Sequence, residues 1–245
     1  MTAPAQAELL GQTVVVIGGS AGIGLETARR ARAEGADVIL TGRNPERLER
    51  AAAELGAQRT LAFDATDFDR LERFFHELPT PIDHVLVTGP GPYYAPLADL
   101  DRERAHRDFD AHLWLAIAVA QHAVGQVRPG GTLLFMGGTG GRGRGPGLSL
   151  IAAGTAAMPA LIANLAVEVA PIRVNLMAAG FVDTPLSASL LGDGLEARGE
   201  ELRSSLPIGR VVGPADVAAL AVHLMANTAV TGATYDIDGG QQFVS

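Results

Sequence analysis

The sequence of 245 residues contains no lysine and no cysteine, and its only tyrosines are Tyr93, Tyr94 and Tyr235. Without cysteine there is no disulfide framework and no thiolate metal site, and the six histidines show no ligand spacing. We therefore predict that no metal is bound. Because all 19 basic residues are arginines, every mechanism that needs a lysine side chain is excluded.

A clustered positive surface is also missing, since the basic residues are scattered and the formal net charge is −8. The first residues lack the charged and apolar regions of a secretory signal, and no apolar run approaches the length of about 18 residues that a membrane span needs. We expect a cytoplasmic protein that binds neither nucleic acid nor a membrane.

Short apolar strands alternate with helices along the chain, beginning with the β-branched run at 13–19 and the helical spacing at 21–35. This alternation predicts an α/β fold: a doubly wound, Rossmann-type, seven-stranded parallel sheet with helices on both faces. The length fits one domain over residues 1–245. Ligands of such sheets bind at the carboxyl ends of the strands, so we looked for function in the loops that follow them.

The first of these loops reads "GGSAGIG" and lies between a strand and a helix. Its glycines allow a tight turn and a close approach of a pyrophosphate to the backbone, and the following helix offers free N–H groups. The spacing predicts a dinucleotide site rather than an ordinary tight turn, formed by Gly18, Ser20, Gly22, Ile23 and Gly24.

The loop after the second strand reads "LTGRN" and has Arg43 where an NAD-dependent enzyme usually has an acidic residue. A guanidinium group matches a 2′-phosphate with two parallel hydrogen bonds. Arg43 therefore favours NADP(H) over NAD(H). The alternative is an ordinary surface arginine.

Several spaced motifs together resemble the short-chain dehydrogenase/reductase family over nearly the whole chain. They are "GGSAGIG" (18–24), "FDATD" (63–67), "LVTGPGP" (86–92), "IRVNLMAAGFVDTP" (172–185) and the segment 207–240. Carried over by position, the resemblance implies that Asp64 bonds the adenine amino group and that Ala65 contacts the ring. It places Gly89 near the adenosine ribose, Val182 at the nicotinamide carboxamide and Thr184 at the pyrophosphate.

The resemblance also implies a homo-oligomer, a dimer or a tetramer, formed through helices matching 100–127 and 150–169. Packing in the core explains the apolar faces of these helices equally well. The segment 186–206 is expected to cover a small-molecule substrate as a lid.

The family moves a hydride between nicotinamide and a carbonyl or alcohol carbon while a tyrosine exchanges the proton on oxygen. A lysine lowers the pKa of that tyrosine, and a serine and an asparagine complete the set. Alignment through "LAVEVAPIRVN" puts the tyrosine, lysine, serine and asparagine positions at Ile151, Thr155, Gly138 and His112. The sequence has no lysine at any position, and it has no tyrosine between 95 and 234. No shift of the alignment therefore restores the tyrosine and lysine of the family.

Three side chains are weak substitutes in catalysis: His112, Thr139 and Tyr94. A packing role for the histidine and a structural role for Tyr94 and its neighbour Tyr93 are the alternatives. Arg142 and Arg144, in a glycine-rich loop, are interpreted as solvated, and the alternative is that they steady an anionic substrate. We predict an atypical NADP(H)-dependent oxidoreductase. The other hypotheses are a catalytically inactive NADP(H)-binding sensor or structural subunit, and a non-redox enzyme that reuses the pocket.

Overall fold

A seven-stranded, all-parallel sheet forms the centre of the computed structural model, which describes residues 8–89 and 91–244. The strand order is β3-β2-β1-β4-β5-β6-β7, which confirms the predicted fold class. The order reverses between β1 and β4, where sheets of this kind bind their ligands. The strands are β1 (Thr13–Ile17), β2 (Asp37–Gly42), β3 (Arg59–Ala62), β4 (Ile82–Val87), β5 (Val127–Gly138), β6 (Arg173–Ala179) and β7 (Thr234–Ile237).

The helices connect successive strands, as expected for right-handed crossovers of a parallel sheet. In the described ranges they are α1 (Gly22–Ala33), α2 (Pro45–Leu55), α3 (Phe68–His76), α4 (Arg102–Phe109), α5 (Leu115–Ala123), α6 (Ser149–Glu168), α7 (Pro185–Leu191), α8 (Leu195–Ser205) and α9 (Pro214–Ala226).

Two hydrophobic clusters cover the two faces of the sheet, because successive residues of a strand point to opposite sides. Along β1, Val15 and Ile17 belong to the cluster that includes residues of α3, α5 and α6. Val14 and Val16 belong to the other cluster, with residues of α1, α2 and α9. Both faces are therefore buried, which explains why the strands are continuously apolar rather than alternating.

Helix α6 corrects one expectation from the sequence. This helix has 20 residues, and an 18-residue window of it has a mean hydropathy of 1.8, long and apolar enough by composition to cross a membrane, so the statement that no apolar run approaches 18 residues is wrong. Met158, Ile162 and Leu165 of this helix are buried against the sheet, in the cluster that contains Val174 and Leu176 of β6. The face packed on the sheet accounts for part of its apolar character.

A buried arginine joins the amino-terminal edge of β6 to the end of helix α9. The guanidinium of Arg173 donates to the carbonyls of Leu224 and Met225, each at 2.8 Å, and to the hydroxyl of Thr132. The cation thereby satisfies carbonyls that the last turn of a helix leaves free. This polar cluster lies at the edge opposite the strand ends that carry ligands, so we assign it to stability.

His84 lies in the same region and is 2% exposed. Its Nε2 atom pairs with the side-chain oxygen of Gln12 at 2.6 Å, whereas Nδ1 has no hydrogen-bond partner among the described residues. Burial, followed by the positive charges of Arg173 and Arg128, lowers the pKa of His84 to about 3. The imidazole is therefore neutral in the folded protein at neutral pH.

This buried histidine predicts a loss of stability in acid. Between pH 6.5 and 4.5 the unfolded chain takes up a proton on residue 84 and the folded chain does not, so unfolding becomes easier as the pH falls. The slope from this group is at most about 1.4 kcal/mol per pH unit. Urea denaturation at several pH values should show a shallower slope for His84→Gln than for the wild type.

The matched control is His76→Gln, which changes an exposed histidine of α3. Its stability should follow the wild-type pH dependence. An unchanged slope in His84→Gln would show that the folded protein already binds the proton at this position.

Candidate active site

The first loop and the end of β4 approach each other so closely that two glycines are required. A β-carbon on Gly18 would fall well inside contact distance of the Thr88 hydroxyl, and one on Gly24 would overlap the carbonyl oxygen of Gly18. The Thr88 hydroxyl donates to the carbonyls of Ile17 and Gly18 at 3.1 and 3.2 Å. Gly18 also has φ +92°, a conformation that favours glycine.

The amino terminus of α1 fits a negatively charged ligand. Its N-cap, Ala21, forms no side-chain cap, and the first turn contains no acidic residue. Gly22, at φ +54°, faces Thr184 at the start of α7, with the threonine Cβ 3.5 Å from where a glycine β-carbon would stand. The free N–H groups at the start of α1 and the positive end of its helix dipole therefore face an anion site that Thr184 also borders. The structure brings together the residues predicted to hold a pyrophosphate.

The loop after β2 lies beside the same turn. The hydroxyl of Ser20 would be 2.8 Å from a β-carbon on Gly42, so the serine stands next to the residue that precedes Arg43. Arg43 is exposed and makes no hydrogen bond with the residues that the structure describes. Ser20 and Arg43 are therefore available together at the end of β2.

Asp64, after β3, is oriented by Thr66. Its Oδ1 atom accepts hydrogen bonds from the backbone N–H of Thr66 at 3.0 Å and from the threonine hydroxyl at 2.8 Å. Partial desolvation would raise the pKa of Asp64, but these hydrogen bonds and the charge of Arg43 outweigh it, so the pKa lies below its usual range. A fixed, ionised carboxylate with an exposed edge can accept from an amino group. Ala65, next in sequence, is half-buried.

His112 lies beside Gly89 at the carboxyl end of β4. Its Nε2 atom is 3.7 Å from the position that a β-carbon on Gly89 would occupy. The histidine occupies a π-helical turn, Asp110–Trp114, between α4 and α5. Sequence spacing predicted one uninterrupted helix here, and π-turns are frequent at functional sites. Pro90 of the neighbouring "TGPG" stretch lies outside the described residues.

The two adjacent tyrosines differ in their environments. Tyr93 is buried, its hydroxyl accepts from the backbone N–H of Asp101 at 3.1 Å, and its ring lies under the guanidinium of Arg104. Tyr94 is 49% exposed, and its hydroxyl is 3.7 Å from where a β-carbon on Gly140 would stand. Burial and the nearby carboxylate of Asp108 raise the pKa of Tyr94. Tyr93 is structural, whereas Tyr94 borders the site as a neutral phenol.

The end of β5 has room where the resemblance places a serine. A β-carbon on Gly138 would meet only ordinary contacts, the nearest being the Ala179 carbonyl oxygen at 3.6 Å. Thr139 is 3% exposed, and its backbone N–H donates to that same carbonyl at 2.9 Å. The predicted hydroxyl therefore lies at the strand edge but is nearly enclosed.

A glycine turn packs on α6 at the positions where the resemblance places tyrosine and lysine. A β-carbon on Gly141 would be 2.6 Å from the Thr155 hydroxyl and 2.7 Å from the Ile151 carbonyl oxygen. The turn over residues 140–142 thus occupies the space directly above both helix positions. The turn therefore packs against the backbone at one of these positions and against the side chain at the other.

One contact beside this turn was missed from sequence. Arg142 binds the carboxylate of Asp236 through both terminal nitrogens, at 2.5 and 2.7 Å, so its interpretation as solvated is wrong. The pKa of Asp236 is lowered by this pairing. The partner comes from β7, 94 residues further along the chain, and no local pattern reports such a contact.

Helices α7 and α8 occupy most of the segment predicted as a lid. Leu186 at the start of α7 meets Gly91, since its Cδ1 atom would lie 2.8 Å from a β-carbon there. Leu190 and Leu191 are exposed. Val182, which precedes this segment, is buried and bridges to Val212. An apolar segment therefore borders the loop after β4, and its closure over a substrate stays a prediction.

The similarity to known proteins extends over nearly the whole chain. Residues 18–242 match the family model described as enoyl-(acyl carrier protein) reductase. The short-chain dehydrogenase/reductase ATR9 of Stachybotrys chlorohalonatus is 30% identical over 254 residues, which cover 94% of this chain and 96% of that protein. The NADP-dependent (R)-specific alcohol dehydrogenase of Lentilactobacillus kefiri is 26% identical, with 95% and 97% covered. The solved structure of MalC reductase/Diels-Alderase from Malbranchea aurantiaca, at 26% identity, gives a TM-score of 0.86 over 97% of this chain and 99% of that one.

The contact between the glycine turn and α6 predicts a specific sensitivity. Gly141→Ala should destabilise the protein by about 1–3 kcal/mol, because the added methyl group overlaps backbone and the Thr155 hydroxyl. Gly143→Ala in the same turn should change stability little, since its β-carbon would meet atoms only at 3.7 Å and beyond. Urea unfolding measures both. Equal stability of the two variants would contradict the close packing of the turn.

Proposed function

Because the chain belongs to the short-chain dehydrogenase/reductase family, we propose that it is an NADP(H)-dependent oxidoreductase that transfers a hydride to a carbonyl or an activated double bond. The observation that carries the proposal is the amino terminus of α1, which has no side-chain cap. Gly22 at this terminus faces Thr184, and the loop before it is closed by Gly18 and Gly24, where a β-carbon would clash. These residues would hold a pyrophosphate.

The choice of NADP(H) rests on the end of β2. Arg43 is exposed, and its charge lowers the pKa of Asp64. The Ser20 hydroxyl lies beside Gly42, the residue that precedes Arg43. A guanidinium and a hydroxyl together suit a 2′-phosphate, whereas an acidic residue at this point would repel it. The NADP dependence in the name of the Lentilactobacillus kefiri relative supports the same choice.

The substrate must react without the usual acid–base couple of the family. When bound, the reduced cofactor supplies the hydride, and the chain binds and orients the two reactants. Loss of positioned acid–base catalysis typically costs 10²–10⁴ in rate, about 3–5 kcal/mol of barrier. We therefore propose an intrinsically reactive acceptor, such as an aldehyde, a quinone or an activated alkene. The enoyl reductase description of the matched family model supports the last of these.

A catalytically inactive NADP(H)-binding sensor or structural subunit is the second candidate. The glycine turn on α6 favours this second candidate. Gly141 packs against the Ile151 carbonyl oxygen and the Thr155 hydroxyl, at the two positions where the tyrosine and lysine of the family would lie. Binding of the cofactor is common to both candidates. Turnover separates them.

We further propose that a second copy of the chain covers the outer faces of α5 and α6, giving a dimer or a tetramer. Trp114 and Val124, which flank α5, are 56% and 58% exposed, and Val167 of α6 is 77% exposed. Large apolar side chains this exposed on neighbouring helices are typical of an interface.

The cofactor assignment predicts a charge-specific response. NADPH should bind the wild type more tightly than NADH, and Arg43→Gln should weaken NADPH binding about 10- to 100-fold while leaving NADH unchanged. Arg47→Gln, an exposed arginine one turn into α2, is the matched control. Titration followed by nicotinamide fluorescence gives each affinity, and absorbance decay with aldehydes, quinones and activated alkenes then tests turnover.

Tight binding with oxidation of NADPH by any acceptor supports the oxidoreductase. Binding without turnover favours the sensor or subunit. Absence of binding by either cofactor contradicts both candidates.

The interface predicts an effect of charge on oligomeric state. Val167→Glu should convert the assembly to smaller species, because a carboxylate would be buried between copies. Leu10→Glu changes a residue that is 68% exposed outside both helices and should leave the assembly intact. Size-exclusion chromatography with light scattering measures both, and a monomeric wild type would refute the interface.

A further inference from the structure

The imidazole of His112 has a fixed orientation. Its Nδ1 atom lies 2.7 Å from the backbone carbonyl oxygen of Asp108. Because a carbonyl oxygen only accepts, Nδ1 carries a hydrogen whether the ring is neutral or charged. Nε2 is therefore the nitrogen that gains and loses a proton.

The free nitrogen faces the centre of the candidate site. Nε2 lies next to Gly89, which follows β4. In the strand order, β4 stands between β1, which leads into the glycine loop, and β5, which ends at Gly138. Nε2 therefore lies at the carboxyl end of β4, between the strand that leads into the glycine loop and the strand that ends at Gly138.

Asp108 lies on the Nδ1 side of the His112 ring. Its carboxylate is 13% exposed, accepts the backbone N–H of Tyr93 at 3.0 Å and lies 3.8 Å from His112 Nδ1. Tyr94 is a further titratable group near this carboxylate, and α6, which packs against the π-turn, has no titratable side chain between Ser149 and Val167.

We infer that Nε2 of His112 delivers the proton to the substrate oxygen, with Asp108 as the positioning residue; this rests on the proposed function. The carbonyl carbon gains the hydride, its π electrons move to oxygen, and the Nε2–H bond breaks as oxygen takes the proton. The imidazolium becomes neutral imidazole and is protonated again from water. For an activated alkene, the same proton goes to the atom that receives the displaced electron pair.

The other two candidates are poorer proton donors. The pKa of Tyr94 is raised by burial and by Asp108, so its phenol holds its proton more firmly than an ordinary tyrosine. Thr139 is nearly enclosed, and an alcohol with no base beside it is a weak acid. A histidine titrates between about pH 5 and 8, where a general acid is effective.

The tautomer is tested in the free protein, without cofactor or substrate. Long-range ¹H–¹⁵N spectra of the imidazole rings, assigned with a His112→Gln variant, should show Nδ1 protonated throughout a pH titration and only Nε2 changing. Asp108→Asn keeps the backbone carbonyl, so it should preserve this tautomer. A neutral ring with its proton on Nε2 would overturn the inference.

Kinetics test the proton transfer itself. His112→Gln should lower kcat about 10²- to 10⁴-fold while NADPH affinity stays at the wild-type value. His106→Gln, an exposed histidine on α4, is the matched control and should keep wild-type kcat. Wild-type kcat/KM should fall as rising pH deprotonates Nε2, and His112→Gln should remove that fall.

The outcomes separate the two proposals. An active wild type and an equally active His112→Gln variant overturn the inference alone. A wild type that binds NADPH and reduces no acceptor overturns the oxidoreductase and, with it, the proton transfer.

Discussion

The approach of Gly18 to Thr88 is the contact on which the rest of the site depends. It joins the ends of β1 and β4, the two strands between which the sheet reverses its order, and the Thr88 hydroxyl bonds both backbone carbonyls there. A side chain at position 18 would separate the strands and displace the start of α1. The open amino terminus of that helix and its distance from Thr184 follow from this one close contact.

Around this intact crevice, the part of the site that would handle protons has changed. Gly141 packs against the Ile151 carbonyl oxygen and the Thr155 hydroxyl of α6, and no lysine exists in the chain to take the role of the family's lysine. On the opposite wall, His112 turns its free nitrogen towards the end of β4 under the control of Asp108. On the proposed function, binding of the cofactor and handling of the proton are carried by different elements.

The sequence was sufficient for the fold because its signals are local. β-branched runs, helical spacing and glycines at turns predicted the seven parallel strands, and the loop motifs placed the cofactor residues at one edge. The pairing of Arg142 with Asp236 and the packing of Gly141 on Thr155 depend on tertiary contacts, so no pattern of neighbouring residues reports them. The orientation of His112 depends on a π-turn, which has no helical period to detect.

A crystal structure of the NADPH complex tests the central claim most directly, namely that this chain keeps the cofactor site and replaces its proton donor. The account predicts the 2′-phosphate between Ser20 and Arg43, the pyrophosphate between Gly22 and Thr184, and the nicotinamide ring on the side of the crevice that His112 Nε2 faces. A nucleotide bound elsewhere, or a nicotinamide ring out of reach of His112, would contradict it.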